Sequence, residues 1–151
     1  MYDISVMSYK QALDYVYNYS GDKNSKKYAI ISIQEYTNGY GLGLAFKEGG
    51  NCLNALNIEF SDITKEYTGE SVKLMTLEDG KIIHDFVESL DERVERLIVH
   101  CYAGASRSAA VAAAISKIKF GNDDIYFNGN YSPNMYVYYK VLGAYGLSNK
   151  Y

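Results

Sequence analysis

The nine residues His100 to Ser108, HCYAGASRS, constrain the chain more than any other stretch. A short apolar run, Leu97-Ile98-Val99, leads into them, and an Ala-rich segment follows from Ala109. Cys101 and Arg107 are separated by small or polar residues apart from Tyr102. That order describes a strand, a tight loop, and the first turn of a helix. The backbone N–H groups of such a loop converge with the positive end of the helix dipole and make an anion cradle. Cys101 would sit at its floor, where the same N–H groups favour the thiolate over the thiol. Arg107 adds a planar fork of donors matched to two oxygens of a phosphate. The residues themselves therefore imply phosphate binding, with Cys101 as the nucleophile that cleaves it.

The motif resembles the signature of the cysteine-dependent protein tyrosine phosphatases, His-Cys-x5-Arg-Ser/Thr. It is closest to the dual-specificity form HCxAGxSRS, whose fixed positions are all met by His100, Cys101, Ala103, Gly104, Ser106, Arg107 and Ser108. Cys, Gly, Arg and Ser at these spacings arise by chance in roughly one chain of this length in 10³. Ser132-Pro133-Asn134 resembles the SPN that opens the last helix of the same family, although Val137 and Lys140-Val141 stand where its members continue with Phe and Gln-Leu. The likeness runs from about Leu56 to Val141. The Trp-Pro-Asp acid loop of the larger tyrosine-specific enzymes is absent, since the chain has no Trp. The Lys of the phosphoinositide phosphatase loop is absent at Tyr102, Ala103 and Ala105. Low-molecular-weight tyrosine phosphatases and arsenate reductases carry their Cys near the N-terminus, unlike this chain.

The resemblance implies one phosphatase-like domain over residues 1–151, and roles for its residues. Cys101 and Arg107 are expected to be catalytic, and residues Tyr102, Ala103, Gly104, Ala105, Ser106 and Arg107 to bind phosphate. Ser108 would hydrogen-bond the Cys101 sulfur, His100 would support the loop from beneath, and Asn134 would brace it. The family takes its proton donor from an Asp some 30 to 40 residues before the Cys. Among Asp62, Glu66, Glu70, Glu78 and Asp79, Asp62 follows a strand directly and lies 39 residues upstream, so it is the expected general acid. Asp79 is explained by capping a helix, and Glu66 and Glu70 by solvation. Cys52 reads as a small residue at a strand start, with a reversible disulfide to Cys101 as the alternative.

Strand-like runs at Ile4–Met7, Tyr28–Ile33, Leu56–Phe60 and Leu97–Val99 alternate with helical patterns at Tyr9–Tyr19, Ile82–Leu90 and Ser106–Lys119. Thr76 with Asp79 three residues on signals the start of the second of these helices. Pro133 marks the first turn of a final one. Residues 35–51 hold five glycines and fit either a short strand at Leu42–Phe46 or a loop. Alternating strands and helices predict an α/β layered domain around a twisted, mainly parallel sheet of four or five strands. The Cys loop then falls at the carboxyl end of a central strand, where such sheets bind ligands.

The 151 residues suffice for one full hydrophobic core. The formal charge of −3 and a pI near 5.4 argue against a nucleic-acid groove. No apolar run reaches the roughly 20 residues a membrane span needs, and MYDISVMSYK lacks a signal-peptide pattern. Two Cys, one required as a free thiolate, place the chain in a reducing compartment, the cytoplasm. No metal and no cofactor is expected. The implied partner is a phosphorylated protein, with phosphate, sulfate or vanadate also binding the loop. A module that binds phosphorylated ligands without cleaving them, or a phosphatase for nucleotides, RNA 5′ ends or inositol phosphates, is the alternative. Tyr102 and Tyr67 could line the pocket, and His84 is expected in solvent.

Overall fold

The computed structural model describes residues 1–37, 45–65 and 72–151. Glu66, Tyr67, Glu70 and Leu42–Leu44 lie outside the described residues, and so does most of the proposed Leu42–Phe46 strand. The elements run β1 (Asp3–Met7), α1 (Tyr9–Tyr19), β2 (Tyr28–Gln34), β3 (Cys52–Glu59), α2 (Leu77–Glu88), β4 (Arg96–His100), α3 (Arg107–Phe120) and α4 (Met135–Ala144). A single 3₁₀ turn, Asp124–Tyr126, sits in the loop after α3. The four strands form one parallel sheet in the order β1-β4-β2-β3, so β4 is central, as its run of buried apolar residues requires.

Side chains of β2 and β4 alternate between two hydrophobic layers. Ala29, Ile31, Ile33, Leu97, Val99 and Cys101 face the layer shared with α2, α3 and α4. Tyr28, Ile30 and Ile98 face α1 together with Ala12, Phe46 and Cys52. Helix α3 is buried from Arg107 through Ile115. Its alanines let it pack between the sheet and the outer helices, which explains an apolar composition on every side. Gly80 supports the same layer, because a Cβ there would stand 2.9 Å from the Lys140 carbonyl oxygen of α4.

Thr76 caps α2 through a reciprocal pair of bonds with Asp79, as the sequence predicts. Four expectations are corrected. Strand β3 begins at Cys52, four residues before Leu56, because a bulge interrupts its alternation: Tyr28 partners Cys52 while Ala29 partners Asn54, leaving Leu53 extra. Pro133 lies ahead of the Asn134 N-cap and so precedes the first turn of α4. Ile82 belongs to the exposed side of α2, and His84 is half-buried, its ring 4.4 Å from that of Tyr145. Cys52 starts β3, as the sequence predicts, and lies at the end of the sheet opposite the Cys101 loop, which removes the alternative disulfide.

Candidate active site

The loop after β4 is shaped by where its carbonyls go. The Cys101 carbonyl accepts from His100 Nδ1 at 3.1 Å, and that of Tyr102 accepts from the Tyr9 N–H at 3.0 Å. The Ala105 carbonyl accepts from the Ser132 N–H at 2.9 Å, and the Ser106 carbonyl from the N–H groups of Asn134 and Ala110. Among the described residues every peptide bond is trans, so each carbonyl drawn outward turns the next N–H inward. The N–H groups of Tyr102, Ala103, Ser106 and Arg107 thereby face the concave side. Gly104 adopts φ +73°, and a Cβ there would stand 2.6 Å from the Met7–Ser8 backbone, so only glycine fits.

Within the loop, Cys101 Sγ lies 3.1 Å from Ser108 Oγ and 3.3 Å from the Gly104 N–H. Burial opposes ionisation of this thiol. The hydroxyl and N–H of Ser108, the Gly104 N–H and the Arg107 charge outweigh it, and hold the thiol below its ordinary value. At Cys52 burial outweighs the hydrogen bonds with Tyr28 and Asn54, and the thiol is pushed up to about 11. Ser106 occupies the N-cap of α3 but makes no capping bond, since its hydroxyl donates to Asp62 Oδ1 at 2.8 Å. Ser106 therefore leaves the first turn of α3 without a side-chain cap, and of its N–H groups that of Ser108 serves the Cys101 sulfur.

Arg107 is buried on α3 and donates through Nη1 to the Phe60 carbonyl at 2.9 Å. Its Nη2 pairs with Glu35, just past β2. Its Nε is buried and has no hydrogen-bond partner among the described residues. An orphaned charged donor of this kind marks a place for an anion. Asp62 and Asn134 also arrive at the loop: Asn134 Nδ2 donates to Asp62 Oδ1 at 2.9 Å and to the Ile63 carbonyl at 3.0 Å. The structure thus gathers Cys101, Arg107, Ser108, His100, Asp62 and Asn134, all of which the sequence singles out. Glu35 is the residue sequence reasoning misses, because its contact with Arg107 depends on β2 lying beside β4.

A cavity of about 210 Å³ adjoins the sulfur. Tyr9, Ile33, Gln34, Glu35, Thr37, His100, Cys101 and Tyr102 line it. The Tyr9 ring packs at 5.8 Å from that of His100 and at 6.4 Å, edge-on, from that of Phe46, so it forms a fixed wall. Tyr102 is exposed at the rim. Among the described residues no group of side chains could hold a metal ion, and no helix is long and apolar enough to cross a membrane.

No protein-family model matches the sequence, and no curated protein matches it. Solved structures do. The crystal structure of a human tyrosine phosphatase-like serine/threonine/tyrosine-interacting protein superposes with a TM-score of 0.56 at 17% identity, covering 91% of this chain and 85% of that one. A crystal structure of PTPMT1 in complex with PI(5)P gives 0.55 at 16% identity, over 95% and 90%. The four-stranded parallel sheet and its helices match these structures over nine-tenths of the chain or more, so the chain has the tyrosine phosphatase-like fold.

Proposed function

We propose that the chain is a phosphate monoester hydrolase that acts on phosphotyrosine in proteins through a phosphocysteine intermediate. The observation that carries this reading is the thiol of Cys101, held among three hydrogen donors beside a buried guanidinium whose Nε lacks a partner. In the first step the Cys101 thiolate attacks phosphorus in line, the S–P bond forms, and the bond to the phenolic oxygen breaks. Arg107 and the inward N–H groups meet the charge on the equatorial oxygens. Asp62 gives its proton to the leaving oxygen. In the second step Asp62 takes a proton from water, the water oxygen attacks phosphorus, and the thiolate leaves with the Ser108 hydroxyl stabilising it. Phosphate and the free tyrosine side chain are the products.

Both bonds to Asp62 fall on Oδ1, so Oδ2 is the oxygen available for the proton. Asp62→Asn is expected to lower turnover of a phosphotyrosine peptide by about 10²–10⁴-fold, the usual weight of general acid–base catalysis. Aryl phosphates with good leaving groups should be affected less, and the basic limb of the pH–rate profile should flatten. Steady-state kinetics across a leaving-group series checks this. Wild-type rates from Asp62→Asn would remove that residue as the acid.

The aromatic wall at Tyr9 and the apolar Ile33 favour a ring beside the sulfur. Tyr102, Ala103 and Ala105 offer no cation to a second phosphate, which weighs against polyphosphorylated headgroups. Tyr9→Ala should lower kcat/KM for a phosphotyrosine peptide by about tenfold, the order a lost ring contact implies. A phosphoserine peptide should be little affected, and Tyr9→Phe should retain wild-type preference. Faster turnover of PI(5)P than of the peptide would overturn the substrate half of the proposal.

A further inference from the structure

Two helix-capping side chains also hold the segment that carries Asp62. Asn134 caps α4 through Oδ1, which accepts from the Val137 N–H at 3.1 Å, and its Nδ2 holds Asp62 and Ile63. Asp79 accepts from the Thr76 N–H at the start of α2, through Oδ2 at 2.8 Å. The same oxygen accepts from Lys73 Nζ, also at 2.8 Å. Lys73 Nζ donates in addition to the Glu59 carbonyl, at 3.1 Å. The Lys73 backbone meets the chain a little further along. There the Ser61 N–H donates to the Lys73 carbonyl at 2.7 Å, and the Lys73 N–H to Ser61 Oγ at 2.9 Å. Ser61 is buried and immediately precedes Asp62. These bonds begin where the sheet ends, since β3 is an edge strand whose pairing with β2 stops at Glu59.

We infer that Lys73 is a positioning residue for Asp62, fixing the end of β3 to the capped start of α2. An ammonium donates and never accepts, so it can join the Glu59 carbonyl to the Asp79 carboxylate in one place. The Asp79 side chain is 10% exposed, so water and salt screen this ion pair less than a surface one. The bonds between Ser61 and Lys73 carry the restraint to the residue before Asp62. Asn134 and Ser106 hold Asp62 at Oδ1 from the other side. With both restraints in place Oδ2 has few positions open to it, as proton delivery to one leaving oxygen requires. Lys73 acts only through Ser61 and takes no part in the chemistry itself. The inference rests on Asp62 being the general acid of the proposed reaction.

The dependence of rate on leaving group tests it. Lys73→Met keeps an unbranched stem and removes the donors. It should lower kcat for a phosphotyrosine peptide by about tenfold more than for para-nitrophenyl phosphate, whose leaving oxygen needs its proton less. In an Asp62→Asn background the same change should slow the peptide no further, since the acid is already gone. Lys73→Arg, which keeps donors for Glu59 and Asp79, should recover most of the peptide rate. The side-chain amide signal of Asn134 in ¹⁵N spectra reports its bonds to Asp62 and Ile63 without any substrate. Lys73→Met should move that signal in the direction that Asp62→Ala moves it. Equal losses for both substrates, a full further loss in the Asp62→Asn background, or an unmoved Asn134 signal overturns the inference. Should Lys73→Met not fold, Asp79→Asn decides by the same readings, because it keeps an acceptor for the Thr76 N–H and removes the charge that holds the ammonium. Wild-type peptide rates from Asp62→Asn would remove the acid, and the inference with it. A wild type that hydrolyses nothing would instead overturn the proposed reaction, and the Asn134 signal alone would then decide whether Lys73 sets the place of Asp62.

Discussion

Replacing the sulfur of Cys101 by oxygen is expected to abolish turnover while leaving the ligand in place. Cys101→Ser should lower hydrolysis of para-nitrophenyl phosphate by on the order of 10⁴–10⁶-fold, the range seen when a covalent nucleophile is removed. The N–H groups that line the loop are set by bonds from His100, Tyr9, Ser132 and Asn134, none of which touches the sulfur. The Arg107 guanidinium is likewise untouched, so calorimetry should find phosphotyrosine-peptide affinity retained or improved. The pH dependence has a definite sign. The donors around Cys101 hold its thiol below the ordinary value, so the thiolate, and with it the rate, persists to lower pH than for a free thiol and falls away as the medium is acidified through the lowered pKa. Iodoacetate should therefore modify Cys101 below the pH of a free thiol, about 8.5, and vanadate should block it. Cys52 should stay unmodified there, because burial pushes its thiol to about 11. Wild-type turnover from Cys101→Ser would place the nucleophile elsewhere, and an inactive wild type that binds phosphopeptides tightly would make the chain a binding module.

Those residues were legible because short-range patterns specify them. A β-branched run, a glycine that must reach φ +73°, and an Ala-rich helix define the Cys loop locally, and seven fixed positions sit within nine residues. Asp62 was legible for a related reason: a strand end in a parallel sheet delivers its next residue to the edge where the loop lies. Asn134 was found through the SPN match, but its double bond to Asp62 and Ile63 was not readable, since it joins segments 72 and 71 residues apart. The start of β3 was hidden by the bulge at Leu53, which shifts the alternation that marks a strand. Glu35 carries no local signal at all. It matters only because β2 lies between β3 and β4, an order that depends on which strands pair and not on what any one of them contains.

Arg107→Lys keeps the charge and removes the geometry, and it should still lower kcat by on the order of 10³–10⁵, the weight of a transition-state arginine in phosphoryl transfer. In the proposed reaction the guanidinium has three uses. Nη1 is tied to the Phe60 carbonyl, Nη2 to Glu35, and Nε is the orphan left for a phosphoryl oxygen. The first two bonds hold the plane, and the third needs that plane to be where the oxygen arrives. The Glu35 side chain is 60% exposed, so its ion pair adds little stability and acts as a guide. A lysine ammonium has one nitrogen on a flexible stem and cannot satisfy Phe60, Glu35 and a phosphoryl oxygen in fixed directions at once. The loss should fall on kcat more than on KM, because a point charge still attracts a dianion but does not follow the oxygens as they flatten at the transition state. Rates within about tenfold of the wild type would mean that charge alone suffices, and that the plane set by Phe60 and Glu35 has no part in the chemistry.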